Sequence, residues 1–478
     1  MAEIVFPSIL LIGAFLAAWL SVLAVIGSLK LTVYRPGGFL DVIPYGIMFT
    51  SALLIAYSGR NHAMLTVTAA APLPGIVTWC QRVVSVLMLL ASMERIAFHT
   101  LKHDVKSPNL ALLWAFIAFW LGATAAPMMF GAHSTLSHEI FYPLLMGLAA
   151  LLANSAEAGR IVITTRNAIV LFTIASGLMI PVAPGLVLDS SYSQGYIPGV
   201  PRFSGLAAHA VALGMIVQIG LYCLWVHPYR NKFVNFLGWS VLLGALFLSQ
   251  AKTAWVSFAI GAIAMAQIRG EGRLIARAVN SRKPVLGIAL IIIMTLTACG
   301  VVALLFMAES RSGVERFLSS KEGSQLASLT GRDQIWTAAL AEWHQHPIFG
   351  YGTELLSASH RASLGMPSAT HAHNQFIDTL ARAGLVGAVP LLIYVWLLGW
   401  YSFKYAKHTK GLSASIFLAL FIRGFSEIPF SMAGYGHEFL GHVLLLSLLA
   451  GAHFDLRRTP STQMPQAPYA KHLAPSLP

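Results

Sequence analysis

Apolar residues recur along this chain in runs of about twenty, and short polar connectors separate the runs. A helix needs about 20 apolar residues to cross the roughly 30 Å hydrocarbon core of a bilayer, so each run predicts one transmembrane helix. The pattern extends from end to end, and no separate soluble core of domain size interrupts it. The sequence therefore predicts an all-α fold, a polytopic helical bundle. The thirteen predicted spans cover residues 7–29, 39–57, 74–98, 107–130, 139–157, 161–185, 206–226, 234–250, 253–269, 285–307, 384–403, 412–430 and 438–454.

The connectors between these spans carry an uneven charge. With 31 lysines and arginines against 18 acidic residues, the chain has a net charge of +13. The basic residues fall on alternate connectors, as the cytoplasmic side of a membrane protein requires, so the excess charge indicates topology rather than nucleic-acid binding. This places the C-terminus inside the cell. The basic sets are Lys30 and Arg35; Arg95, Lys102 and Lys106; Arg160 and Arg166; Arg230 and Lys232; Arg269, Arg273, Arg277, Arg282 and Lys283; Lys404, Lys407 and Lys410; Arg457 and Arg458.

Composition and motifs exclude several other classes of protein. Hydrophobic residues make up 56% of the chain and charged residues only 10%, which is typical neither of a soluble enzyme nor of a disordered chain. Cys80, Cys223 and Cys299 lie in apolar runs, which predicts small buried side chains and no disulfide framework. The first apolar run has no basic region before it and no small-residue cleavage site, so we expect a retained span. No P-loop, dinucleotide fingerprint or aspartate pair for Mg²⁺ is present, and we therefore expect no ATP, cofactor or metal.

One connector, residues 309–383, is much longer than the others and lies opposite the basic connectors. A connection this long in a compact bundle is usually functional. Within it, Thr330 as N-cap, Asp333 in the first turn and Pro347 as a stop predict one helix. A second helix is expected to start near Asn374 and to continue into the next span. The expected divisions are a transmembrane bundle at 1–307, an outside loop with two helices at 308–383, transmembrane helices at 384–455 and a disordered cytoplasmic tail at 456–478.

Isolated cations lie on the outside face, beside predicted helix ends. Lys252 occupies a very short turn between two apolar helices, with no acidic residue within four positions. A lysine at such a place also occurs simply because its side chain can reach water cheaply from a helix end. Arg202 and Arg332 lie in outside loops, where a solvated arginine is common. Several cations on one face nevertheless suit a large anionic substrate such as a phosphate ester.

The segment HAHN, residues 371–374, places two histidines two positions apart. Two imidazoles in an extended segment could bind a metal, but a full site needs a third and a fourth ligand, and none is evident at a recognisable spacing. Otherwise each histidine is either a bystander or a proton acceptor. The ordinary imidazole pKa of about 6.5 suits a general base near neutral pH.

The order of these motifs resembles the O-antigen ligases and the related O-antigen polymerases. The resemblance rests on His373 and Asn374, followed after nine residues by Gly384 and after two more by Gly387. Four further segments support it: PRFSGLAAHAVALG with Arg202, LSQAKTAW with Lys252, GRDQIW with Arg332, and GFSEIPF with Glu427. The family position of Lys252 typically holds arginine; lysine keeps the charge and loses the bidentate geometry.

The resemblance implies a bacterial inner-membrane glycosyltransferase, GT-C-like, of about 12 spans with one large, partly helical periplasmic loop. It implies transfer of O-antigen glycan from undecaprenyl diphosphate to a sugar hydroxyl of lipid A-core, with both lipid-borne substrates and the membrane lipids as partners and no nucleic acid. His373 would be the general base, and Lys252, Arg332 and Arg202 would bind the donor diphosphate. The expected accessory residues are His371, Arg361, Glu427 and Asn374.

Three alternatives remain open from the sequence. An O-antigen polymerase or a protein O-glycosyltransferase would use the same donor with another acceptor. A polytopic transporter would also be apolar and basic, but its polar residues are expected near the middle of the membrane, at broken helices in paired halves. Here the candidate residues fall on one side of the bundle.

Overall fold

The computed structural model describes residues 38–58, 75–101, 108–190, 200–270, 332–366 and 369–457. Within these ranges the protein is a bundle of α-helices. The predicted spans at 7–29 and 285–307, Thr330, Cys299 and the predicted tail from residue 458 lie outside the described residues. The principal helices are α1 Val42–Ser58, α2 Gly75–Leu101, α3 Leu110–Phe130, α4 Phe141–Leu151, α5 Ser155–Leu178, α6 Ala210–Val226, α7 Lys232–Leu248, α8 Lys252–Ile268, α9 Arg332–Gln345, α10 Ala358–Ser363, α11 Gln375–Lys404, α12 Leu412–Arg423 and α13 His437–Leu456.

Eleven of these helices are apolar, and they correspond to the eleven predicted spans in the described ranges. Five are long and apolar enough to cross a membrane, namely Gly75–Thr100, Leu110–Phe130, Ser155–Leu178, Gln375–Lys404 and His437–Leu456. Six shorter ones have between 10 and 17 residues. Large apolar side chains such as Trp114 and Trp396, more than 60% exposed, face outward from the bundle. This surface is typical of a protein surrounded by lipid.

Polar caps set the helix ends more sharply than the apolar pattern predicted. The fifth and sixth spans were expected at 139–157 and 161–185, but α4 ends at Leu151 and α5 begins at Ser155. Asn154 and Glu157 form a capping box, in which each side chain accepts a hydrogen bond from the other residue's backbone N–H. Such a box satisfies two free N–H donors of the first turn. It therefore starts α5 at Ser155, before the start at residue 161 that the apolar run predicted. Glu157 is buried and pairs with Arg95 at 3.1 Å.

The helices pack around one continuous apolar core. Large buried side chains, including Phe116, Phe119, Tyr222 and Tyr394, fill it. The closest helix pairs are α8 with α12, α5 with α13, and α6 with α7. Cys223 is buried in this core and Cys80 is half-buried, and both are free thiols.

Segments from distant parts of the chain meet at one end of the bundle. A two-residue strand pair, β1 Leu188–Asp189 and β2 Arg202–Phe203, is antiparallel, with Leu188 opposite Phe203. Residues of the long loop pair with the segment after α3: His133 donates its backbone N–H to the carbonyl of Tyr351, and Glu354 donates its backbone N–H to the carbonyl of His133. These pairings hold the long loop against the bundle end, close to where α11 begins.

Candidate active site

Three predicted site residues converge at this end of the bundle. Nε2 of His371 lies 3.2 Å from Oε2 of Glu427, and Nδ1 of His373 lies 3.4 Å from the same oxygen. The Glu427 side chain is only 3% exposed, whereas His371 is 14% and His373 27% exposed. Glu427 is thus an inner carboxylate that two imidazoles contact from the outer side. The three residues are called the His–His–Glu cluster below.

Local backbone structure explains how the two segments meet. Asn374 caps α11, because its side-chain oxygen accepts the N–H groups of Phe376 and Ile377. Gln375 then joins the two segments: its backbone N–H donates to the carbonyl of Gly424 at 2.8 Å, and its side-chain oxygen accepts the N–H of Phe430. Asn374 therefore has a structural role, and the carboxylate of Glu427 is the group that contacts the His373 ring.

His373 has a strained backbone. Its φ of +49° lies in the left-handed region, which side chains other than glycine seldom occupy. Such a conformation costs on the order of 1 kcal/mol or more and is often found where function fixes a side chain. The strain turns the chain between His371 and Asn374, so that both rings face Glu427.

The electrostatics of the cluster favour an ionised Glu427 beside a neutral His371. Burial raises the pKa of Glu427, but the contact with His373 and the positive charge of Arg423 outweigh burial and lower the pKa from 4.5 to about 2. Burial, with the neighbouring His373, lowers the pKa of His371 from 6.5 to about 4. Nδ1 of His371 accepts the backbone N–H of His373 at 3.1 Å. A neutral His371 must therefore carry its hydrogen on Nε2, directed toward Glu427.

Could the cluster hold a metal ion? The ligand atoms of His371, His373 and Glu427 lie within 4.8 Å of one another, so the structure supplies the third ligand that the sequence did not reveal. A metal on Nε2 of His371 would need the ring hydrogen on Nδ1, but that nitrogen already accepts a backbone N–H. This hydrogen bond opposes metal binding through Nε2 of His371, whereas Nδ1 of His373 and Oε2 of Glu427 have no hydrogen-bond partner among the described residues.

A buried arginine, which the sequence reading did not single out, lies behind the cluster. Arg423 is 3% exposed at the end of α12 and donates from Nη1 to the carbonyl of Val211 at 3.1 Å. Its Nε and Nη2 have no hydrogen-bond partner among the described residues. Its position four residues before Glu427 was the available sequence signal, since a cation and an acid at that spacing often interact.

Two more histidines adjoin the cluster. His209 caps α6, with Nδ1 accepting the N–H of Ala212 at 3.1 Å. Burial lowers the pKa of His209 to about 3, and the negative charge of Glu427 partly opposes the shift. His437 begins α13, and its Nε2 lies 4.0 Å from a carboxylate oxygen of Glu438. His209 lies inside the segment PRFSGLAAHAVALG, but neither histidine was singled out, because only the packing of α6, α12 and α13 brings them to this place.

The structure brings Arg202 to the turn that contains Lys252. Nε of Arg202 donates to the carbonyl of Ser249 at 3.1 Å, and the side chain of Gln250 donates to the carbonyl of Val200. Gln250 also has a left-handed backbone, with φ of +48°. Lys252 is exposed at the first position of α8. A cation at a helix start opposes the helix dipole, so helix stability does not account for its presence there.

Arg332 lies on the helix that supports the histidine segment. It begins α9, one turn before Trp336, whose indole N–H donates to the carbonyl of Ala372 at 2.8 Å. Residues four apart share a helix face, so Arg332 faces toward this segment. Arg361 lies in α10, and among the described residues no hydrogen bond or ion pair joins its side chain to the His–His–Glu cluster.

The two glycines of the signature have clear structural roles. Gly384 interrupts α11 with φ of +62° and ψ of −158°, and a Cβ atom there would lie 2.2 Å from the carbonyl oxygen of Ile348. The interruption exposes backbone groups on both sides: Leu385 donates to Pro347, and Gly352 donates to Arg382. A Cβ atom on Gly387 would lie 3.2 Å from the backbone of α3. Gly384 therefore docks the long loop at the start of α11, and Gly387 lets α11 pack closely against α3.

Comparison with known families agrees with this geometry. Residues 237–392 match a family model described as O-antigen ligase. The family resemblance is confirmed. The O-antigen ligase match includes the predicted site residues from Lys252 to Asn374 and leaves out Arg202 and Glu427, which only the fold connects to it. It indicates a glycosyltransferase of the O-antigen ligase or polymerase type, and the apolar helices indicate a membrane protein. No curated protein matched the chain.

Proposed function

We propose that the protein is an O-antigen ligase that transfers a glycan from undecaprenyl diphosphate to a sugar hydroxyl of lipid A-core. The observation that carries the proposal is the His–His–Glu cluster, in which a buried, ionised carboxylate lies 3.4 Å from Nδ1 of a more exposed histidine. The reaction takes place at the periplasmic face of the inner membrane, where both lipid-borne substrates reach the outer end of the bundle. The O-antigen ligase match supports this assignment.

His373 acts as the general base. Its Nδ1 faces Glu427, so Nε2 is the nitrogen available to the acceptor. As the acceptor oxygen forms its bond to the anomeric carbon, its proton moves to Nε2 and the bond between that carbon and the diphosphate oxygen breaks. The electron pair leaves with undecaprenyl diphosphate. Glu427 stabilises the imidazolium that forms, as the carboxylate does in a catalytic triad.

Fixed cations stabilise the leaving group. Diphosphate is already a good leaving group, so no nucleotide is consumed, and positive side chains aimed at its developing charge lower the barrier. Lys252 and Arg202 lie at one turn, and Arg332 lies on the helix that supports the histidine segment. Direct displacement with one base and no nucleophilic side chain inverts the anomeric centre.

A polymerase or a protein O-glycosyltransferase would use the same residues with a different acceptor. The deciding experiment incubates the purified protein with an undecaprenyl-diphosphate glycan, without ATP and with EDTA. Separate reactions contain rough lipopolysaccharide, a second undecaprenyl-linked glycan, or an acceptor peptide. We expect glycan-capped lipopolysaccharide only. Product with another acceptor alone would replace the ligase assignment, and a requirement for added metal would contradict the proposed mechanism.

The choice of base is tested by two alanine variants. General-base assistance contributes about 10² to 10⁴ in rate, so His373→Ala should reduce kcat by that factor while donor binding is retained. His371→Ala should cost much less, because His371 contacts Glu427 and acts through it.

The matched control for this pair is His360→Ala. His360 belongs to the same loop and faces Glu342 at 3.2 Å, outside the cluster. An equal or larger loss of kcat in His371→Ala would show that His371 is the base.

A further inference from the structure

A cavity of about 310 Å³ lies between α1, α2 and the segment that precedes α13. The wall on α1 consists of the apolar residues Ile47, Leu54 and Ile55 together with Thr50 and Ser51. The polar groups opposite come from Gln81, Glu139, Tyr435 and His437. The volume is at the lower end of the roughly 300–1,000 Å³ that small-molecule sites occupy, which suits one or two sugar rings.

The chemistry of the lining suits a sugar rather than a phosphate. Among the described residues that line the cavity there is neither lysine nor arginine, and Glu139 contributes an acidic side chain. A diphosphate would find no basic side chain among these lining residues and would face a carboxylate. A pyranose has an apolar C–H face and polar hydroxyl edges, and it can pack on Ile47 and Ile55 while its hydroxyls reach Gln81 and Glu139. Binding sites of this kind combine apolar walls with a few placed polar groups.

The cavity lies near the His–His–Glu cluster, because one segment joins them. Residues 427–437 begin at Glu427 of the cluster and end at the lining residues Gly434 to His437. Phe430 of this segment donates its backbone N–H to the side chain of Gln375, two residues after His373. Ala208, in the segment that leads to the N-cap His209, also lines the cavity. At the other end of the same segment, Arg202 contacts Ser249 and Val200 contacts Gln250. Residues 200–209 therefore run from the cation-bearing turn to the cavity, and the cluster lies near the cavity end.

We propose that this cavity binds the acceptor sugar, the terminal core sugar of lipid A-core, with its reacting hydroxyl directed toward His373. The assignment rests on the proposed function. It separates two substrate regions: the cations of the Lys252 turn face the donor diphosphate, and the uncharged or acidic groups of the cavity face the acceptor. The cluster between them receives the proton.

Two glycines allow the cavity to be filled without disturbing the backbone. A Cβ atom on Gly436 would meet nothing within 4 Å, and one on Gly434 would meet only a carboxylate oxygen of Glu139, at 3.9 Å. Neither glycine has a positive φ. Gly436→Leu and Gly434→Leu should therefore fold and occupy part of the cavity. Gly244→Leu is the matched control, because Gly244 also has open space around it and lies on α7, away from the cavity.

The experiment measures two quantities on purified protein. The first is the Kd of rough lipopolysaccharide in the absence of donor. The second is the pair of KM values for rough lipopolysaccharide and for the undecaprenyl-linked donor. We expect the two cavity variants to raise the acceptor Kd and KM by at least about tenfold and to leave the donor KM unchanged within about twofold, with Gly244→Leu like the wild type.

An unchanged acceptor Kd would overturn the proposal, and so would an equal rise in the donor KM, which would place a donor sugar in the cavity. The binding measurement needs no turnover. A wild-type protein that binds rough lipopolysaccharide through the cavity but never produces capped product would therefore contradict the proposed function and leave the cavity assignment standing.

Discussion

Replacing Glu427 with glutamine is the sharpest test of the catalytic geometry. The substitution keeps the size and shape of the side chain and removes its charge, which is buried at 3% exposure and lies 3.4 Å from Nδ1 of His373. If Glu427 stabilises the imidazolium formed during transfer, Glu427→Gln should slow the chemical step while both substrates still bind.

The size of the effect follows from the distance. Two unit charges 3.4 Å apart interact by about 5 kcal/mol at an effective dielectric constant of about 20. His373 is 27% exposed, so water reduces this value, and the glutamine amide can keep a hydrogen bond worth about 1 kcal/mol. A net loss of about 2–4 kcal/mol corresponds to a fall in kcat of roughly 30- to 1,000-fold.

The assay is single-turnover transfer to rough lipopolysaccharide, with Glu427→Asp and Glu354→Gln as controls. Aspartate keeps the charge at a longer distance, so its loss should be smaller than that of glutamine. Glu354 lies in the docked loop, outside the cluster, and accepts a hydrogen bond from Thr135. Glu354→Gln should therefore behave like the wild type. A Glu427→Gln enzyme within about threefold of the wild-type rate would refute the role assigned to the carboxylate, since that factor is below 1 kcal/mol.

The same variant should change how stability depends on pH. Because the pKa of Glu427 falls from 4.5 to about 2 on folding, the ionised side chain stabilises the native state above pH 4.5, and this contribution is lost as the pH falls toward 2. This pKa shift corresponds to a stabilisation of the native state by roughly 3 kcal/mol, since one pKa unit is worth about 1.4 kcal/mol. Thermal unfolding in detergent should therefore lose more stability between pH 5 and pH 3 in the wild type than in Glu427→Gln. Parallel curves would contradict the low pKa.

Two further predictions concern the residues around the cluster. Lys252→Ala should reduce kcat/KM by about 10- to 100-fold, which is the value of one charge-assisted contact, and Lys252→Arg should retain activity. Lys232 is another exposed lysine at a helix start, so Lys232→Ala should have no effect. Normal transfer by Lys252→Ala would show that Lys252 is a simple turn lysine. Gly384→Ala should lower the unfolding temperature and abolish transfer, since a Cβ atom would lie 2.2 Å from the carbonyl oxygen of Ile348. Gly159 lies on an open helix face, so Gly159→Ala should be tolerated. A stable, active Gly384→Ala protein would contradict the loop-docking role.

The sequence by itself determined the fold class and the helix positions, because a helix in lipid satisfies its own backbone and needs only an apolar run of sufficient length. Eleven predicted spans coincide with described helices to within a few residues, except where a polar cap or an early end moved a boundary, as at Asn154 and at the end of α12. The family resemblance and the helices beginning near Arg332 and Asn374 were also readable, since caps and motif spacing are local signals.

Only the tertiary structure decided which polar residues meet. His373 and Glu427 are 54 residues apart in the sequence. Their contact depends on the glycine interruption in α11 and on the end of α12 at Arg423. It also depends on Gln375, which hydrogen-bonds to Gly424 and Phe430 on either side of Glu427. The inner position of Glu427, the buried Arg423 and the cavity beside His437 all result from helix packing. The spacing of residues along the chain carries no information on such contacts, because the contacts form between different helices. Apolar helices in lipid can pack in several arrangements, and hydrophobicity alone does not choose among them.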